Sequence, residues 1–167
     1  LDPLSFQTRS QLAQCLAWGG QPEAAIGILE EILKEDPSNF IAHWLLGLLV
    51  RPGDPEAALR HFDDAVTEMD LPLGHASRSV ALRKLGRTEE AESVVRALEA
   101  RDEGPEYVSP FSLAVAYFGK GDPERALDCL EGGIDGHDFL SLYLRLIAPV
   151  YGFQDHPRYQ AILKRVW

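Results

Sequence analysis

GQPEAAI at residues 20–26, GDPEAAL at 53–59, GRTEEAE at 86–92 and GDPERAL at 121–127 are four versions of one segment. Their leading glycines, Gly20, Gly53, Gly86 and Gly121, stand 33, 33 and 35 residues apart, and each is followed five residues on by an alanine: Ala25, Ala58, Ala91 and Ala126. Each segment combines a turn glycine with a polar helix cap (Asp54, Thr88 and Asp122, with Gln21 a weaker one). In three of the four, a proline then occupies the first helical position. The glycines suit the left-handed helix-ending conformation, which a residue with a Cβ enters at a cost of about 1–2 kcal/mol. The alanines fall where two helices approach most closely, and a larger side chain there forces shifts costing about 1–3 kcal/mol.

Ahead of the glycines, apolar residues recur at helical spacing: Leu12, Cys15 and Leu16; Leu46, Leu49 and Val50; Leu113, Ala116 and Tyr117. The unit is therefore helix, short turn, helix. The pattern predicts helix pairs at 6–18 with 22–35, 40–50 with 55–69, 73–84 with 88–101, and 110–118 with 123–134. A short helix near 138–146 follows, then a last one near 157–166 that carries Tyr159, Ile162, Leu163 and Val166 on one side as a cap. A two-helix hairpin of about 34 residues cannot bury its own apolar face, so neighbours must stack and share a core. The expectation is a single domain over 1–167, with units at 6–39, 40–71, 72–106 and 107–138 and a cap at 139–167. Two irregularities stand out: the second unit is one residue short at Arg51-Pro52-Gly53, which should alter its helix angle. Gly132-Gly133 should end the second helix of the fourth unit early.

Aligned on the glycines, the first unit offers Leu12, Ala13, Leu16, Ala25, Leu29, Ile32 and Pro37 as packing residues. The second offers His43, Leu46, Gly47, Val50, Ala58, Phe62 and Ala65. The third offers His75, Arg78, Ser79, Leu82, Ala91 and Val95, with the Arg78 stem laid along the core, and the fourth Leu113, Ala114, Tyr117, Ala126 and Leu130. In spacing, small residues and turns the chain resembles the tetratricopeptide repeat family over about 130 residues. The stretch from Tyr107 onward also resembles the closing segment of bacterial multidomain proteins in which such repeats follow a kinase, cyclase or DNA-binding domain. The resemblance implies an all-α fold, a right-handed superhelical array of about four helix hairpins plus C-terminal capping helices.

Composition limits what such an array can do. With 46% apolar residues the 167-residue chain is not disordered. The apolar run through Ile41 to Val50, broken by His43, is far short of the about 18 residues a membrane span needs. Two cysteines, Cys15 and Cys129, are too few for a disulfide scaffold, which points to a reducing, cytoplasmic compartment. The chain starts at Leu1 with no basic-then-apolar leader, so a segment cut from a longer protein is expected. A net charge of −10 disfavours a nucleic-acid partner. The basic stretch Arg78, Arg83, Lys84 and Arg87 either faces an acidic peptide or is neutralised by Glu89, Glu90 and Glu92.

Catalytic signatures are missing: there is no HExxH, phosphate-binding glycine loop, GxSxG or CxxC. His43 and His75 hold equivalent positions in adjacent first helices and either approach one another or fill packing sites with a hydrogen bond to spare. Two histidines without a carboxylate or thiol nearby make a poor metal site. His61 and Asp64, three apart on one helix face, read as an exposed ion pair or as a base with its orienting acid. Cys15 and Cys129 read as modest hydrophobes. No active site, cofactor or metal is expected.

In the architecture the resemblance implies, first helices line a concave groove. The residues expected there are Gln14, Ile41, Trp44, Leu48 and Arg51, then Ala76, Val80, Arg83 and Lys84. Relatives that clasp a chaperone's C-terminal carboxylate use lysines, arginine and asparagines at several of these places. Gln7, Ser10, Gln14, Ile41, Trp44 and Leu48 supply neither the asparagines nor the lysine. Trp44 is either the groove's anchor or core packing against a neighbouring unit. The expected function is a non-catalytic scaffold binding a peptide or protein segment, with no membrane insertion. The alternatives are an intramolecular regulatory domain of a larger bacterial signalling or transcription protein, and an enzyme or small-molecule binder using the cleft.

Overall fold

The computed structural model describes residues 5–50, 53–138, 140, 143–144 and 154–166. They are all-α: among the described residues nine helices and no strand occur. The chain divides into two compact units, Leu1–Asp70 and Leu71–Trp167. The first holds α1 (Phe6–Trp18), α2 (Pro22–Glu35), α3 (Phe40–Val50) and α4 (Pro55–Glu68). The second holds α5 (Pro72–Lys84), α6 (Thr88–Asp102), α7 (Pro110–Lys120), α8 (Pro123–Asp135) and α9 (Pro157–Val166). The two helices of each hairpin pack side by side: α1 on α2, α3 on α4, α5 on α6 and α7 on α8. The short helix expected near 138–146 lies mostly outside the described residues.

The repeated turn chemistry works as written at most positions. Gly20 and Gly86 have φ +75° and Gly121 has φ +84°, the left-handed conformation that favours glycine. Gly53 is not among them, so the shortened second unit turns without a left-handed residue at that point. Asp54 accepts from the Ala57 N–H at 2.9 Å and Asp122 from the Arg125 N–H at 3.2 Å, each capping the helix that follows. Thr88 does not cap: α6 begins on it, Arg87 holds the cap position without a side-chain bond, and Gln21 likewise makes none.

The four repeat alanines, Ala25, Ala58, Ala91 and Ala126, are fully buried. Gly47 extends the same principle, because a Cβ on it would strike the ring of the fully buried Phe62. The first unit buries Leu29, Ile32, Trp44, Leu45, Leu46 and Leu48. In the second, one apolar cluster joins Val95, Leu98, Phe111, Leu127 and Leu130 to Tyr159 and Ile162 of α9. Arg158 fastens the same helix by reaching Glu124 and Asp128 at 2.7 Å and Glu131 at 3.0 Å, all on α8. The side chain of Val166 lies outside the described residues.

Two expectations are corrected. α8 does not end early at Gly132-Gly133 but runs to Asp135, and Gly133 is buried where a Cβ would meet Pro110 at 3.2 Å. The glycine thus serves close packing. Leu12 and Cys15 do not pack inward: both are exposed, with Trp18 next along the same face of α1. The buried side of α1 is instead carried by Ser10 and Ala13.

Candidate functional site

The residues expected to line a groove divide sharply by accessibility. In the first unit Gln14 is half-buried and Ile41 is 39% exposed, whereas Trp44 and Leu48, one and two turns further along α3, are 2% and 1% exposed. Trp44 is therefore core, and Arg51 lies outside the described residues. In the second unit Ala76 and Val80 are buried, while Arg83 and Lys84 are exposed. Arg83 already has work: its Nη1 donates to the Lys120 carbonyl at 2.6 Å, closing the C-terminal end of α7, and its guanidinium fills the space beside Gly121. Arg87 grips Glu90 through two bonds of 2.6 and 2.7 Å, which holds the Glu90 carboxyl below its usual range. That much of the basic stretch is satisfied internally.

A denser cluster of chemistry lies inside the first unit, where α3 meets α4. His43 is 8% exposed, and its Nε2 donates to the Pro37 carbonyl at 2.9 Å. A carbonyl only accepts, so Nε2 carries a proton, and in the neutral ring Nδ1 keeps its lone pair. That Nδ1 stands 3.2 Å from Nδ1 of His61 and 3.6 Å from Oδ2 of Asp64. The two rings are tilted at 46° with centroids 5.5 Å apart, so nitrogen edges converge rather than faces stacking. Burial lowers the His61 pKa first, and the neighbouring His43 lowers it further.

His61 and Asp64 do lie within 4.8 Å of one another, but the ion pair expected between them is formed instead by Asp64 with His43, for which the sequence offers no carboxylate neighbour. The missed signal is arithmetic: His43 and His61 are equidistant from Pro52, and residues equidistant from the turn of an antiparallel hairpin face each other. His75, which shares its repeat position with His43, is on α5 and is not one of these three donors.

The two thiols differ in setting. Burial pushes the Cys129 pKa up to about 11, which keeps it protonated near neutrality, and Cys15 is a free exposed cysteine. Among the described residues no helix is long and apolar enough to cross a membrane.

Compared with known proteins, the chain matches a family model described as tetratricopeptide repeat over residues 13–68 and again, overlapping, over 48–107. No curated protein and no solved structure matches it.

Proposed function

Because the chain belongs to the tetratricopeptide repeat family, we propose that it is a non-catalytic scaffold that receives a segment of a partner protein on its first helices, in a reducing cytoplasmic compartment. Repeats of this family generally mediate protein–protein interaction. The observation that carries the reading for this chain is Ile41: a large apolar residue left 39% exposed at the open end of a stripe whose other members, Trp44 and Leu48, are locked in the core. An apolar contact held on a rigid base loses little freedom when a ligand arrives. Gln14 supplies polar contact in the same unit. In the second unit Ala76 and Val80 form a buried floor, and the exposed Arg83 and Lys84 tune association rate and salt dependence. The net charge of −10 supports a protein partner over a nucleic acid.

The test is a peptide-library binding screen followed by titration of the best ligand. Ile41→Glu is expected to weaken binding at least about tenfold, as for an apolar anchor, and Ile41→Ala to weaken it in the same direction with the chain still folded. A ligand bound equally well by Ile41→Glu overturns the assignment.

A further inference from the structure

We propose that His43, His61 and Asp64 form a binding site for a divalent transition ion of the zinc class, clipping α3 to α4 within the first unit. Nothing in this rests on the peptide-binding surface.

Three features of the geometry carry it. The first is convergence: among the described residues these are the only three His, Cys, Asp or Glu side chains whose donor atoms all lie within 4.8 Å of one another. The second is spacing. Ligands held about 2.0–2.1 Å from a tetrahedral zinc stand about 3.4 Å from each other. Two edges, the Nδ1–Nδ1 separation of 3.2 Å and the Nδ1–Oδ2 separation of 3.6 Å, bracket that value, and the third, from His61 to Asp64, lies within 4.8 Å, a gap that rotation of the exposed aspartate closes. The third is the outer shell. The Pro37 carbonyl holds a proton on His43 Nε2, so that the neutral ring turns a bare Nδ1 toward the other two donors. A backbone carbonyl on the far nitrogen is the usual support of a metal-ligating histidine.

Two imidazoles and one carboxylate suit borderline ions such as Zn(II), Co(II) or Ni(II) better than Ca(II) or Mg(II), which prefer all-oxygen shells. His43 is buried, His61 half-buried and the Asp64 side chain 60% exposed, so the cluster opens to solvent on the aspartate's side. That side gives an ion its entry path and leaves room for water as a fourth ligand. With His43 Nδ1 bare, the 3.2 Å contact is donated by His61 Nδ1–H; on binding that proton moves to Nε2 and His61 presents Nδ1, so both rings remain neutral and none of the three side chains needs to gain a charge.

The experiment uses the full chain without a histidine tag, titrated with Co(II) and followed in the visible region. One equivalent of Co(II) should produce the intense bands of a four-coordinate complex, and Zn(II) should abolish them by displacement. Asp64→Asn changes a largely exposed side chain, and His61→Gln keeps a polar group of similar reach. Each should weaken Co(II) binding at least about tenfold, since even outer-shell losses cost that much. In the unsubstituted chain the ring 15N resonances of His43 and His61 should shift together on adding Zn(II), which needs no variant to fold. The proposal is overturned by a spectrum that stays that of hydrated Co(II), by affinity unchanged in both variants, or by imidazole resonances that do not move.

Discussion

The ring of Phe62 on α4 occupies the space into which a Cβ on Gly47 of α3 would project. Both residues are buried, and an aromatic ring with no exposed surface cannot swing away. Gly47→Ala should therefore destabilise the chain by about 1–3 kcal/mol, although alanine is the better helix former. In a Phe62→Leu background the same change should cost less, a coupling that urea denaturation of the four proteins would measure. Additive losses would mean that the two residues do not share that space.

Gly86 presents the opposite case. Its φ is +75° and nothing lies within 4 Å of a built Cβ, so the penalty for a side chain is purely one of backbone conformation. Gly86→Ala should cost about 1 kcal/mol, Gly86→Asn less and Gly86→Val more, because asparagine tolerates the left-handed region and β-branched residues resist it. Thermal melts in that order would check it.

Asp138 is 8% exposed and caps α7 from the far side of α8. Its Oδ2 accepts from the Ser109 hydroxyl and from the Phe111 N–H at 3.1 Å, and its Oδ1 from the Leu140 N–H at 3.1 Å. Asp138→Ala removes the acceptor of the buried Ser109 hydroxyl, leaves the Phe111 N–H only its 3.2 Å bond to Ser109 Oγ, and should cost about 1–3 kcal/mol. Asp138→Asn keeps an acceptor and should recover roughly half of that. Equal losses in the two variants would argue that packing, rather than hydrogen bonding, is what Asp138 supplies.

Tyr117 gives the chain a defined alkaline response. Burial, followed by the bond its hydroxyl donates to Glu99 at 2.8 Å, pushes its pKa from 10 up to about 12. Between those values the unfolded phenol has lost its proton and the folded one has not, so stability falls as pH rises from 10 to 12. Tyr117→Phe should be less stable than the parent at pH 8 by about 1 kcal/mol, with the gap closing as pH climbs through that window. Urea midpoints at several alkaline pH values would show the convergence, and parallel curves would contradict it.

The array was legible because its signals are local. A glycine before a capped, proline-led segment marks a turn whatever surrounds it, and α2, α4 and α8 begin at Pro22, Pro55 and Pro123 as the pattern requires. What the pattern could not supply was long-range. Leu12 has the spacing of a core residue, yet its face of α1 is not covered by α2 or α3. Trp44 has the spacing of a groove residue, yet burial on α3 extends around the whole run from Ala42 to Leu48. Periodicity says which residues share a face; which faces are covered depends on neighbours many residues away. The same limit hid His43 from His61 and Asp64, because joining them requires the pairing of α3 with α4 across a shortened turn.

The bond between Asp138 and Ser109 gives the second unit a kinetic property. It ties the exit of α8 to the entrance of α7 across 29 residues, so that hairpin is a closed loop clasped at its mouth. Amides near the clasp, such as Phe111 and Asp138, whose N–H groups bond to Asp138 Oδ2 and to the Gly133 carbonyl, cannot open by fraying one helix end alone. They should exchange with solvent at a common rate, as a single opening unit.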